Sequence, residues 1–127
     1  MILCDTNILI EFYKKTPSII QELRSIGQES IAISAITQGE LYFGALNKQE
    51  LAAIKRHLSL IHCYSLDYFI STRFLQLMEE FSLSHKLSIP DALIAATALV
   101  HDLPLYTLNI KDFHFIPGIY LYTRKTQ

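Results

Sequence analysis

Thiols are scarce in this chain, and neither is placed to bind anything. Cys4 and Cys63 are the 2 cysteines among 127 residues. Both stand in apolar stretches and read as buried core residues. They make no disulfide framework, and without a CxxC or Cys/His spacing they exclude a structural zinc site. Long apolar runs are missing too: the longest, such as 92–96, fall far short of the roughly 18 residues of a membrane span. No basic leader precedes the first strand-like segment, so a cytoplasmic protein without membrane contact is expected. Charge of one sign is also lacking. With 11 basic and 12 acidic residues the net charge is −1. No global positive field draws in nucleic acid, and any such attraction must come from a local rim or a bound cation. There is no glycine-rich phosphate loop and no GxSxG elbow, nor any repeat, linker or low-complexity stretch.

What is present is apolar. Half the residues (50%) are hydrophobic, enough for one core, and a domain of this length buries about two-thirds of its unfolded surface. A single domain over 1–127 is expected. Ile2-Leu3-Cys4 has the form of a central parallel strand, and Asp5 or Thr6 can cap a helix running through Tyr13. Thr16-Pro17 opens a second helix, with Gly27 just past its end. Ile31-Ala32-Ile33 reads as the next strand, and Ser34 caps a helix to about Ala45. After Asn47 a helix spans Gln49 to Leu60, with Leu51, Ile54, Leu58 and Ile61 on its inner face. A third strand is expected within Ile61 to Leu66. Asp67 then caps a long helix in which Ile70, Phe74, Leu77, Met78 and Phe81 recur at helical spacing. Pro90 opens a helix over Asp91 to His101 that is apolar on every side. Leu103 to Leu108 and Ile119 to Tyr122 supply the last strands, with a turn at Pro117-Gly118. Strands separated by helices predict an α/β fold: a central parallel sheet of 4–5 strands covered by helices on both faces.

Four carboxylates stand out against this apolar background: Asp5, Glu40, Asp91 and Asp112. An ionised side chain beside apolar sequence costs several kcal/mol unless compensated, and no Lys or Arg adjoins Asp5, Glu40 or Asp91. In a parallel sheet, ligands bind outside the carboxyl ends of the strands. Asp5 and the 107–112 segment follow strands directly, Glu40 lies in the helix after the second strand, and Asp91 opens a helix leading back to the sheet. All four can face one crevice, and a hard divalent cation is the partner that oxygen ligands suit.

Each residue also has a plainer role open to it. Asp5 can be a helix cap, Asp91 a complement to a helix dipole, and Asp112 an exposed turn residue. Glu40 is harder to place in solvent, because it shares a helix face with Ile36, Phe43 and Gly44. His57, His62, His85, His101 and His114 show no paired metal spacing and read as structural or surface residues. Tyr42, Phe43 and the Phe69, Phe74, Phe81 series read as core or subunit contact.

Asp5-Thr-Asn-Ile-Leu, Gly39-Glu-Leu-x-x-Gly-Ala, Pro90-Asp-Ala-Leu-Ile-Ala-Ala and Thr107-x-Asn-x-x-Asp-Phe, taken together and in order, resemble the PIN-domain family, and most of all its bacterial VapC-type toxins. The resemblance spans essentially the whole chain. It implies a Mg²⁺- or Mn²⁺-dependent endoribonuclease that is held inactive by a cognate antitoxin and forms a homodimer. By similarity Asp5, Glu40 and Asp91 form the acidic site, with Thr6 and Asn7 supporting the metal or the substrate phosphate. Thr107 and Asn109 lie in the last motif. Many relatives carry a carboxylate where this chain has Asn109, and Asp112 follows three residues later, so both are candidates to complete the site.

Because Mg²⁺ takes one or two carboxylates and keeps several waters, Asp5 and Asp91 are the expected direct ligands, with Glu40 reaching the ion through water or orienting the nucleophile. One or two ions are compatible with this set. A haloacid-dehalogenase-like phosphatase would also carry an Asp after its first strand, but it needs an acid where this chain has Asn7. A receiver or binding module would have no use for Glu40. An apolar excess over Leu41, Tyr42, Phe43, Ala45 and Leu46 predicts a groove for the antitoxin.

Overall fold

The computed structural model describes residues 1–124. Four short strands, β1 (Ile2–Cys4), β2 (Ile31–Ser34), β3 (His62–Tyr64) and β4 (Leu105–Tyr106), form one parallel sheet in the order β3-β2-β1-β4. Six helices connect them: α1 (Thr6–Tyr13) and α2 (Pro17–Ile26), α3 (Ala35–Phe43) and α4 (Lys48–Leu58), then α5 (Tyr68–Phe81) and α6 (Ile89–Val100). The capping chemistry accounts for most of these boundaries. Side chains of Ser34, Asn47, Asp67 and Ser88 accept hydrogen bonds from free N–H groups in the first turns of α3, α4, α5 and α6. Pro17 occupies the first turn of α2, and Gly27 ends it at φ 92, a left-handed conformation that a side chain resists.

Register divides the core. Leu3 pairs with Ala32 and Leu105, and all three point to one face, where they pack with α5 and α6. Cys4, Ile31, Ile33 and Tyr106 point to the other, beneath α1, α2 and α4. Burial on both faces explains why β1, and β2 up to its last residue Ser34, are apolar. α6 is the most enclosed helix, with Ala92 and Ile94 through Ala98 buried. Its many alanines let it pack closely against α5 and the sheet.

The sheet order places the site. β1 lies between β2 and β4, so the chain leaves β1 toward one edge and later crosses to the other side. The crevice between the C-terminal ends of β1 and β4 is therefore the switch point of the sheet. Cys4 pairs with Tyr106, which sets the next residues, Asp5 and Thr107, side by side.

Several expectations are corrected. The 119–122 segment is not a full strand: Leu121 makes one parallel bridge to Leu105, through hydrogen bonds from Leu105 N to Tyr120 O and from Tyr122 N to Leu105 O, both 2.8 Å. β4 is only two residues long, so no longer ladder can form. Tyr122 instead ties this segment to α2, donating to the buried Glu22. Cys4 is buried, but Cys63 is only half-buried, because β3 is an edge strand covered on fewer sides. Leu51, in the first turn of α4, is 38% exposed, while Ile54, Leu58 and Ile61 are buried as expected. Phe43, at the last position of α3, is 93% exposed. Phe69 is also exposed, whereas Phe81 is in the core. α3 stops at Phe43 rather than Ala45, and α6 starts at Ile89, capped by Ser88.

Candidate active site

Asp5 is the N-cap of α1, and its carboxylate also faces the crevice. Oδ1 accepts from the Thr6 backbone N–H at 2.7 Å. Oδ2 accepts from the Thr107 hydroxyl at 2.7 Å and from the Asn7 side-chain amide at 3.3 Å. A carboxylate has about four lone-pair positions, so these bonds orient Asp5 and still leave capacity for a further ligand. Asn7 is used at both ends, since its Oδ1 accepts from Leu108 N at 3.3 Å. Thr107 in turn accepts from Asn109 N at 3.0 Å. Asn109 thus enters through its backbone, while its side chain is exposed.

Glu40 reaches the same crevice from α3. Its Oε1 accepts from the Thr6 hydroxyl at 2.7 Å, and that hydroxyl lies 3.0 Å from the hydroxyl of the fully buried Thr37. Asp91 stands in the first turn of α6 and is half-buried. Ser88 already caps the helix by accepting from Asp91 N at 3.2 Å, so Asp91 is not needed as a cap. Asp112 ends a short 3₁₀ turn over Ile110–Asp112. The next residue, Phe113, is fully buried; burying such a ring is worth about 1.5–3 kcal/mol, enough to pin the turn beside the site.

The electrostatics tie the four carboxylates together. Burial raises the Asp5 carboxyl above the ordinary range, and Glu40 and Asp112 push it the same way, against the hydrogen bonds from Thr107 and Thr6. Asp91 is raised to about 6, first by burial and then by repulsion from Asp5, Asp112 and Glu40. The α6 dipole favours an ionised carboxylate at this position, so burial and crowding outweigh it. Among the described residues the one ion pair is Lys14 with Glu11, which leaves these acids without a basic partner. Uncompensated negative charge of this kind fits a divalent cation. No three His, Cys, Asp or Glu side chains among the described residues form a ready-made cage for one. Mg²⁺, which holds most of its waters and takes few carboxylates, does not require such a cage.

This arrangement of acids at the switch point of a parallel sheet coincides with a match over residues 2–115 to the family model described as PIN domain. The chain belongs to the PIN-domain family. Among its relatives is Ribonuclease VapC19 of Mycobacterium tuberculosis, 32% identical over 123 residues, or 94% of this chain and 97% of the relative. The tRNA(fMet)-specific endonuclease VapC of Shigella flexneri is 30% identical over 120 residues and 91% of each chain. Among solved structures, a toxin-antitoxin complex from Klebsiella pneumoniae matches with a TM-score of 0.80 at 35% identity, covering 96% of this chain and 100% of that one.

The sequence-predicted residues of this PIN domain are thus gathered in one place. Asp5, Thr6, Asn7, Glu40, Thr107 and Asn109 are joined by hydrogen bonds, and Asp91 and Asp112 are tied to Asp5 through charge. Thr37 and Ser88 were not foreseen. Thr37 lies three residues before Glu40 and so on the same helical face, a spacing that could have pointed to it.

A groove adjoins the acidic site. A cavity of about 780 Å³ runs between α1, α3 and α4, its apolar walls formed by Ile10, Phe12, Tyr13, Leu41, Leu46 and Ile54. Glu40 also lines it, so the groove and the acidic site share a wall. No described helix is long and apolar enough to cross a membrane.

Proposed function

We propose that this PIN domain is a divalent-metal-dependent endoribonuclease and the toxin of a toxin-antitoxin pair. The observation that carries the reading is the set of four carboxylates without a basic counter-charge at the switch point of the sheet. Its relatives named as ribonuclease and endonuclease support the same chemistry.

Asp5 and Asp91 are the proposed direct ligands of Mg²⁺ or Mn²⁺, with Glu40 acting through water. When bound, the cation supplies Lewis acidity and a bound water of lowered pKa. The chain's own groups do the positioning. Thr107 and Asn7 hold the Asp5 carboxylate, Thr6 holds Glu40, and Asn7 and Thr107 are the proposed supports for the substrate phosphate. Asp112 is proposed to complete the acidic set, because its charge acts on both Asp5 and Asp91; Asn109 contributes its backbone N–H instead. Without a cation this cluster repels RNA, so the metal serves binding as well as cleavage.

The antitoxin is proposed to lie in the groove beside Glu40. An apolar segment fits walls of Phe12, Leu41 and Leu46, and a basic or bulky group on it would meet the acidic site. The toxin-antitoxin complex among its structural relatives supports a partner of this kind. A homodimer is proposed on a surface separate from the groove, whose walls include neither of the exposed Phe43 and Phe69.

The test is to incubate purified, antitoxin-free protein with total RNA in Mg²⁺, in Mn²⁺ or in chelator, and to map the cleaved ends. Discrete cleavage that chelator abolishes is expected. Cleavage unaffected by chelator, or none with either ion, overturns the reading.

A further inference from the structure

The Thr6 hydroxyl carries a single proton and lies between two partners, Glu40 Oε1 at 2.7 Å and Thr37 Oγ1 at 3.0 Å. In the shorter contact Thr6 donates to Glu40 Oε1, which uses the single Thr6 proton. The contact to Thr37 must then use the proton of Thr37. The three groups therefore form a directed chain, in which Thr37 donates to Thr6 and Thr6 donates to Glu40. We propose that Thr37 is a positioning residue for the acidic site, acting through Thr6 to hold the Glu40 carboxylate in its working orientation. This rests on the nuclease reading above.

Three features favour the assignment over a packing role. Thr37 has no exposed surface, and a buried hydroxyl needs a partner; the partner it has is itself bonded to the site. Thr37 and Glu40 are one turn apart on α3, while Thr6 begins α1. The chain of hydroxyls thus sets the two helices that carry Asp5 and Glu40 against each other at the crevice. Each donor also polarises the next bond in such a series, so loss of the first weakens the second. Thr37 touches neither RNA nor metal in this scheme, so it is not itself catalytic.

The experiment compares Thr37→Val and Thr37→Ser with wild type for cleavage of one RNA in saturating Mg²⁺, resolving kcat from KM. Val keeps the branched shape and lacks the hydroxyl, whereas Ser keeps the hydroxyl. The expected result is a kcat lower by on the order of ten-fold for Thr37→Val, within the usual range for residues that orient a ligand, with KM unchanged and with recovery in Thr37→Ser. Wild-type kcat in Thr37→Val, or an equal loss in Thr37→Ser, overturns the proposal. If Thr37→Val does not fold, Thr37→Ala carries the same comparison, and NMR of the wild-type protein tests the bond directly. A slowly exchanging Thr37 hydroxyl proton close to Thr6 is expected, and a rapidly exchanging one overturns the assignment. If wild type itself fails to cleave RNA, the nuclease reading fails, whereas the Thr37 bond is still judged by the NMR experiment.

Discussion

The hydroxyl of Thr107 donates to Oδ2 of Asp5 at 2.7 Å, joining two residues that are 102 positions apart in the chain. Adjacent parallel strands make this possible, since Cys4 and Tyr106 pair in register and Asp5 N donates to Tyr106 O at 2.9 Å. The bond favours the ionised form of Asp5, which burial and the neighbouring acids oppose. Thr107→Val is therefore expected to lower cleavage by about 10–100-fold, the usual loss when the support of a ligand is removed, while Thr107→Ser retains most of it. RNA cleavage by the two variants at several Mg²⁺ concentrations checks this, and equal rates for Val and wild type would show that the bond is incidental.

Asp5→Asn tests the centre of the site. The amide is nearly the same size as the carboxylate, so the circular dichroism spectrum should stay close to wild type. Cleavage should fall by about 100-fold or more, at or beyond the range for residues that only support a ligand. A variant that folds and cleaves at the wild-type rate removes Asp5 from the mechanism.

The crowding of carboxylates has a consequence for stability without metal. Asp91 has a folded-state value of about 6, whereas in an unfolded chain an aspartate titrates near 3.9. The folded state therefore binds the proton more tightly, and stability falls as pH rises from about 4 to about 6. Asp5 is raised as well and contributes in the same direction. In chelator at pH 7, Asp91→Asn should melt above wild type by roughly 2–5 °C, a small gap because water screens a half-buried group. The gap should close by pH 4. An Asn variant that melts well below wild type at pH 7 would mean that Asp91 serves the α6 N-terminus instead.

Leu46 tests the groove. It lines the cavity and is 86% exposed, while Tyr42 is half-buried and bonded to Gln38. Leu46→Asp should weaken antitoxin binding by on the order of ten-fold or more, as for a central apolar contact, and leave the circular dichroism spectrum and RNA cleavage by the free toxin intact. Pull-down with the cognate antitoxin at unchanged affinity would move the partner elsewhere.

The sequence by itself determined the alternation of strand and helix, most helix starts and the identity of the acidic residues. Those features are local: a Ser, Asn or Asp before an amphipathic run caps it through its own side chain, and an apolar triplet such as Ile2-Leu3-Cys4 can only be buried. The motifs around Asp5, Glu40 and Asp91 were legible for the same reason, as charges set beside apolar sequence without a basic neighbour, whereas Asp112 follows Lys111 and was legible only as part of its motif. Only the tertiary structure decided the order β3-β2-β1-β4, and with it that Asp5 stands next to Thr107. That order depends on which helices fill each face of the sheet, a property of no single segment. Edge effects were equally out of reach. Cys63 is half-buried because its strand is last in the sheet, and the 119–122 segment makes one bridge because β4 offers it only two residues. Thr37 was hidden for a related reason. Its spacing from Glu40 marks a shared helical face but not its partner, and only the packing of α3 against α1 brings its hydroxyl to Thr6.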